Sequence, residues 1–188
     1  MLSGREEYAL VLDFLPCGKS GEARKEPVAQ MLGEAQFTLL EATPKPGVVL
    51  KPGERVYVGK NERDKIDRIK DRVTWRDLTN GAQKECHEFL KKIVKEREQH
   101  FVDFLNHAGP INIRSHSLEH LPSVGKKHLS VILEQRDKAP FASFDDVHSR
   151  VPHLGRIEDL IVARIEHELD GTAKYYLFAK PIRQEERF

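Results

Sequence analysis

Two proline-X-hydrophobic-glycine turns, Pro122-Ser123-Val124-Gly125 and Pro152-His153-Leu154-Gly155, recur thirty residues apart, each between stretches with helical apolar spacing. Proline stops a helix because it lacks an amide N–H and its ring clashes with the preceding turn. Glycine lets backbone approach another molecule because no Cβ intervenes. A chain punctuated in this way is driven to fold as helix, tight turn, helix, twice over. Val124 is expected to plug inward and fix the first turn, leaving the N–H groups of Gly125, Lys126 and Lys127 to open the next helix. Such a helix start attracts anions through its unpaired amides and its dipole, and two lysines add charge to it.

The first copy, Leu118 to Leu133, resembles the helix-hairpin-helix signature. The second runs from Phe144 to Ile157, with Ser143 and Asp146 placed as a helix cap before it and Ile157, Leu160, Ile161 and Ile165 as the apolar face after it. Four short helices over residues 110–171 are therefore expected to form one compact module. Tandem hairpins of this kind take phosphates from a nucleic-acid backbone without reading base sequence. Ser123 and His153 stand where a first glycine is usual, and Glu158 and Asp159 sit roughly where the first copy has Lys126 and Lys127. The second hairpin is expected to be the weaker binder.

Upstream, Tyr8 to Leu15 reads as a strand stopped by Pro16 and Gly18, followed by a loop rich in glycine, serine and charge. Phe37 to Thr43 and Glu54 to Gly59 read as two more strands, and Lys65 to Trp75 as a bulged one. From Thr79 to His107 a single long helix is predicted, with Cys86, Phe89, Leu90, Ile93, Val94, Phe101, Phe104 and Leu105 as its stripe, closed by Gly109 and Pro110. A short extended piece, Ile111 to Arg114, leads into the hairpins, and Lys174 to Lys180 reads as a last strand. The predicted fold is α+β: a small OB-like β-barrel with a long helix over residues 1–109, the helical module over 110–171, and a C-terminal strand over 172–188 returning to the barrel.

Composition narrows the functional classes. Thirty-one basic against thirty acidic residues leave a formal charge of +1, so any nucleic-acid face must be local. Residues 110–170 hold eight basic and ten acidic side chains, which makes the hairpin module slightly acidic. The missing positive charge is expected from Arg68, Lys70, Arg72 and Arg76, if these line one face of the barrel. Tyr57, Trp75, Tyr175 and Tyr176 are candidates for stacking on bases. The longest stretch without Asp, Glu, Lys or Arg runs only from Phe104 to Ile113, far short of the ~20 apolar residues that span a bilayer. Glu6, Glu7 and Asp13 around the first apolar run argue against a secretory leader, and a cytoplasmic location without a membrane partner is expected.

Two motifs invite other readings. Gly18-Lys19-Ser20 copies the end of a P-loop, but Asp13 occupies the place of the required first glycine and would repel phosphate. His116 to His120 matches an inverted zinc-protease motif, yet Pro122 ends that helix within a turn and the hairpin needs the same residues. Cys17 and Cys86 have no partner at zinc-ligand spacing. No catalytic residue, metal or cofactor is predicted.

Val56-Tyr57-Val58-Gly59-Lys60, Asp64 to Ile69, Leu78-Thr79 and, above all, His116 to Lys127 resemble the archaeal family called domain of unknown function 655. That resemblance implies an OB-like barrel joined to a tandem helix-hairpin-helix domain, and members are described as predicted RNA-binding. The expectation is a non-enzymatic binder of the nucleic-acid backbone, RNA before DNA, through Ser123, Val124, Gly125, Lys126 and Lys127 of the first hairpin. His153, Gly155 and Arg156 of the second hairpin and Arg68, Lys70, Arg72 and Arg76 of the barrel complete the expected contact. The alternatives are a DNA repair or recombination accessory binding structured DNA, and a protein-docking module of a translation or transcription assembly.

Overall fold

The computed structural model describes residues 5–19, 21 and 25–182. Its described residues divide into two compact units, one made of those up to residue 88 together with 167–182, the other of residues 89–166.

The first unit is built on a curled five-stranded antiparallel half-barrel. Its strands are β1 (Tyr8–Leu15), β2 (Val28–Gly33), β3 (Leu39–Pro44), β4 (Arg55–Tyr57) and β5 (Ile66–Arg72). Their spatial order is β4-β1-β2-β3-β5, so β4 and β5 form the two edges and the expected barrel stays open. Ala9, Val11, Ala29, Met31, Leu40, Ala42, Leu50, Val56, Val58 and Ile66 make its core.

Four strands lie where alternation and turn residues put them, give or take their ends. The central one, β2, falls in the stretch read as loop. All six of its residues are buried, so no polar and apolar faces alternate, and Ala29, Gln30 and Gly33 have little intrinsic strand preference. Gln30 is tolerated there because its side chain donates to Glu41 Oε1 (2.9 Å) and to Asp77 O (2.9 Å) and accepts from Thr79 N (2.9 Å).

The turn from β2 to β3 is organised by a carboxylate. Glu6 is buried, and it accepts from Ala35 N (2.8 Å), Gln36 N (2.9 Å), Thr38 N (3.3 Å) and Thr38 Oγ1 (2.9 Å). This capture, with Phe37 held at φ +49°, delays β3 to Leu39 rather than Phe37. The strand β5 is bulged as expected: its pairing with β3 passes from Glu41↔Asp71 to Ala42↔Ile69 and from Thr43↔Arg68 to Pro44↔Ile66.

Thr79 caps helix α1 (Asn80–Glu96) by accepting from Ala82 N (3.0 Å), while its hydroxyl donates to Asp13 Oδ2 (2.6 Å). The predicted single helix is broken at Arg97 (φ −105°, ψ 31°), after which α2 (Glu98–His107) begins. The expected C-terminal strand is absent among residues 174–182. Glu168 draws the amides of Leu177 (2.7 Å), Phe178 (2.9 Å) and Ala179 (2.8 Å) onto its carboxylate, so these N–H groups are not offered to a neighbouring strand. One backbone bond, from Lys180 N to Gln36 O (3.0 Å), ties this segment to the β2–β3 turn. Residues 183–188 of the predicted strand lie outside the described residues.

The second unit takes in α2 and the later part of α1, which the sequence had assigned to the barrel. Its other elements are a two-stranded ribbon, β6 (Pro110–Asn112) and β7 (Ser115–His116), a 3-10 turn (Ser117–His120), and helices α3 (Lys126–Lys138), α4 (Phe144–Arg150) and α5 (Ile157–Leu169), the last crossing the division near its end. The first of the four expected helices is thus a single 3-10 turn. The placement of α2 follows from directed bonds. Asn106 and Phe141 exchange two hydrogen bonds (2.9 and 2.8 Å), Glu98 accepts from Phe144 N (2.6 Å), and Arg136 donates to Leu105 O (3.0 Å) and Ala108 O (2.7 Å).

Two glycines should respond oppositely to alanine. A Cβ at Gly33 would overlap the Glu6 carboxylate, so Gly33→Ala should cost about 2–3 kcal/mol in urea unfolding. Gly81, on α1, has only ordinary contacts (3.8 Å) in front of a Cβ, and Gly81→Ala should raise stability by about 0.5 kcal/mol.

Candidate nucleic-acid interface

The Pro122–Gly125 turn hangs on the 3-10 turn before it. Ser117 donates to Gly109 O through its amide (3.0 Å) and hydroxyl (2.6 Å). His116 then caps the turn: its Nδ1 accepts from Leu118 N (3.1 Å), and Glu119 returns to accept from His116 N (2.8 Å). Val124 is buried at 4% exposure, while Ser123 sits in the left-handed region at φ +62°. That conformation is why glycine is usual at this position, since a Cβ is strained there. Gly125 is extended (φ −88°, ψ −177°), so its backbone conformation does not call for glycine, and a Cβ there would meet nothing within 4 Å.

Helix α3 begins without a side-chain cap. Its first helical bond runs from Leu129 N to Gly125 O (2.9 Å), and the amides of Gly125, Lys126 and Lys127 have no acceptor among the described residues. All three residues are exposed. The two lysines are not equivalent. Lys126 is paired with Glu119 (2.6 Å), and this hydrogen bond, with the His116 amide, holds the Glu119 carboxyl below its ordinary range. Lys127 has no carboxylate partner among the described residues.

The Pro152–Gly155 turn shares the left-handed residue of the first but differs from it at the glycine and in its chemistry. His153 is at φ +62°, like Ser123, and Gly155 at φ +83° does require glycine. Ser143 caps α4 by accepting from Asp146 N (3.0 Å), as its position predicted. At the start of α5, Ile157 N donates to His148 Nε2 (3.1 Å), and the Glu158 carboxylate accepts from its own backbone amide and pairs with Arg156. His148 Nε2 also lies 3.0 Å from Glu158 Oε2. That nitrogen accepts the amide when neutral and donates to the carboxylate when protonated, but it cannot do both. An internal carboxylate therefore sits at the start of α5, and Arg156 is paired with it.

The basic strand is divided. Residues paired across β3 and β5 share a sheet face, and Thr43↔Arg68 and Leu40↔Arg72 fall on opposite faces because the bulge at Lys70 breaks the alternation. Arg68 pairs with Glu26 (2.5 Å), Arg72 donates to Lys180 O (2.9 Å) and Pro181 O (3.2 Å), and Arg76 forms a bidentate pair with Asp170 (2.8 and 2.9 Å) from a 3-10 turn beyond the strand. Arg68, Lys70, Arg72 and Arg76 do not make the single basic face that the sequence predicted.

Tyr57, Trp75, Tyr175 and Tyr176 are all half-buried. Tyr57 packs edge-on against Tyr8 (5.4 Å), whose ring lies under Arg55. The P-loop look-alike has its Lys19 paired with Glu41, and Ser20 lies outside the described residues. In the zinc look-alike, His120 Nε2 meets Ser115 Oγ (2.9 Å), and among the described residues no group of three or more His, Cys, Asp or Glu side chains is placed to hold a metal. Sequence reasoning missed Glu119 as the partner of Lys126. The signal was the three-residue spacing from His116 to Glu119, which is that of a reciprocal helix cap with histidine as the cap.

Residues 5–180 match the family model described as Protein of unknown function (DUF655). An uncharacterized protein of Methanocaldococcus jannaschii is 44% identical over 178 residues, 93% of this chain and 80% of that protein. The crystal structure of a DUF655 protein from Archaeoglobus fulgidus superposes with a TM-score of 0.82 at 44% identity, covering 93% of this chain and all of that one.

The cap on the first turn is sensitive to pH. Burial, with Arg136 and Lys126 nearby, pushes the His116 imidazole below its ordinary value, with Glu119 pulling the other way. A depressed histidine contributes stability above its unfolded pKa of ~6.5 and loses it as pH falls toward the folded value. The melting temperature should therefore carry a contribution that declines below about pH 6.5, and His116→Asn, which caps without titrating, should remove that contribution in melts run from pH 8 to 5.

Proposed function

The chain belongs to the DUF655 family, and we propose that it is a non-enzymatic nucleic-acid-binding protein, RNA before DNA, that grips phosphate through a helix-hairpin-helix turn at Pro122 to Lys127. One observation carries the reading: three consecutive exposed amides at the start of α3 have no acceptor among the described residues, beside Lys127 without a carboxylate partner. Converging N–H groups with a dipole behind them and a cation beside them fit a phosphate oxygen. Gly125 adds to this, because neither its backbone angles nor its neighbours demand a glycine, whereas a phosphate pressed against the backbone would.

The contact is asymmetric. The first hairpin is the anchor, and the second, with Glu158 on its own helix start, acts as a buttress. Contacts of this type fix position on the backbone and carry little sequence information. RNA stands before DNA because the half-barrel sheet, read as OB-like, and the paired hairpins form the architecture described in the family as predicted RNA-binding.

Binding of structured RNA, duplex DNA, branched DNA and single strands, each across a salt series, tests the proposal. Affinity should fall steeply with salt. Lys127→Glu should weaken binding by about tenfold at low salt, more than the change in affinity attributable to Lys126, whose charge Glu119 already offsets. Gly125→Ala should weaken binding while changing stability by less than about 0.5 kcal/mol. No binding to any nucleic acid at low salt would sink the reading in favour of a protein-docking module, and preference for branched DNA would move it to repair or recombination.

A further inference from the structure

The β6–β7 ribbon of the second unit ends in a residue that its own fold does not explain. Its register pairs Pro110 with His116 and Asn112 with Ser115, so Ile113 and Arg114 alone make the connection. Two-residue connections favour Asn-Gly and other glycine-containing pairs, and a β-branched side chain is not among them. Ile113 is 105% exposed, so it adds nothing to a core. The other large hydrophobic side chains exposed among the described residues, Tyr8 and Val49, both belong to the first unit. An isoleucine left wholly in water forgoes the stabilisation that burial gives, so neither turn chemistry nor packing accounts for it.

The tip is both held in place and charged. Asn112 Oδ1 accepts from Arg114 N (2.9 Å), which fixes the turn. At the foot of the ribbon Ser117 bonds twice to Gly109 O, and Ser115 Oγ meets His120 Nε2 (2.9 Å). Arg114 is exposed, and its guanidinium has no carboxylate partner among the described residues. The ribbon is also tied to the start of α3: His116 N donates to Glu119 Oε2 (2.8 Å), and Glu119 pairs with Lys126 (2.6 Å). Ile113 stands three residues before His116, no more than about 11 Å along an extended chain. An apolar side chain, a cation without a carboxylate partner and the open amides of α3 thus belong to one continuous piece of the second unit.

A stable protein interface buries about 800 Å² on each partner, far more than one side chain between Asn112 and Arg114 supplies. A nucleic-acid strand fits the tip better, because each base offers a flat apolar face beside a phosphate, and a single aliphatic side chain is enough to occupy that face. We propose that Ile113 packs against the face of an unstacked base while Arg114 takes the adjacent phosphate, so that the ribbon tip directs binding toward bulges and loops, whose bases are already splayed, over continuous duplex. This rests on the hairpin's grip on the backbone and adds the selectivity that phosphate contacts lack.

Binding of the full chain to an RNA duplex with and without a central bulge, and to the matching DNAs, each across a salt series, tests it. The bulged RNA should bind at least about tenfold more tightly than the continuous duplex. Ile113→Ser, at a position outside any core, should leave the melting temperature unchanged and bring the bulged RNA down to the affinity of the duplex. It should also keep the salt slope, because the lost contact carries no charge. Ile113→Phe should keep the preference, and Arg114→Ala should lower the salt slope by about one. Equal binding of the two RNAs, or a preference that survives Ile113→Ser, overturns the proposal and leaves the hairpin reading standing. No binding of any of the four at low salt overturns both. Loss of self-association in Ile113→Ser, with binding of the bulged RNA unchanged, overturns it in favour of a contact between copies of the chain.

Discussion

Backbone amides that have no strand or helical turn to bond must find another acceptor, and in this protein they find carboxylates. Glu6 gathers the amides of Ala35, Gln36 and Thr38, and Glu168 those of Leu177, Phe178 and Ala179. Glu98 takes the amide of Phe144, Glu119 that of His116, Asp146 that of Ala142 and Asp77 that of Thr74. Each of these bonds is charge-assisted and fixes a turn that the chain would otherwise leave to water. The β2–β3 turn and the irregular C-terminal segment both depend on such a capture. Without it, Gln36 and Phe178 would carry buried polar backbone with no partner, a penalty of about 1–3 kcal/mol each.

This use of acidic residues changes the meaning of the net charge. Thirty carboxylates against thirty-one basic groups give a chain that looks neutral to a distant polyanion. Several of those carboxylates face inward onto amides, and others are held in pairs with Arg55, Arg68 and Arg76. Among the described residues, Lys127 beside the start of α3 is left without a carboxylate partner. Local fields of this kind act over about 8 Å at physiological salt, so their effect on a ligand survives a near-zero total.

The two proline-glycine turns begin alike and end differently. Both hold a non-glycine residue at φ +62°, and both bury the hydrophobic residue that follows. They part at the helix start. In α3 the first amides meet no acceptor, and in α5 they meet His148 and Glu158. Glu158, three positions after Gly155, and His148 thus supply the start of α5 with internal acceptors that the start of α3 lacks.

The sequence by itself determined whatever depends on local spacing: β1 between its turn signals, the bulge in β5, the cap at Ser143, both proline-glycine turns and the openness of the first. Those features are decided by sterics and by bonds within a few residues. What only the tertiary structure decided is whatever depends on partners far apart in the chain. The buried strand β2 shows no alternation because both its faces are covered, and α2 joins the helical unit through bonds from Asn106 and Glu98 to residues 35 and 46 positions away. The basic face promised by Arg68, Lys70, Arg72 and Arg76 dissolves because a one-residue bulge turns alternate side chains to opposite faces and because Glu26 and Asp170, distant in sequence, claim two of the four. Periodicity specifies an element, but register and long-range pairing decide which of its charges remain for a ligand.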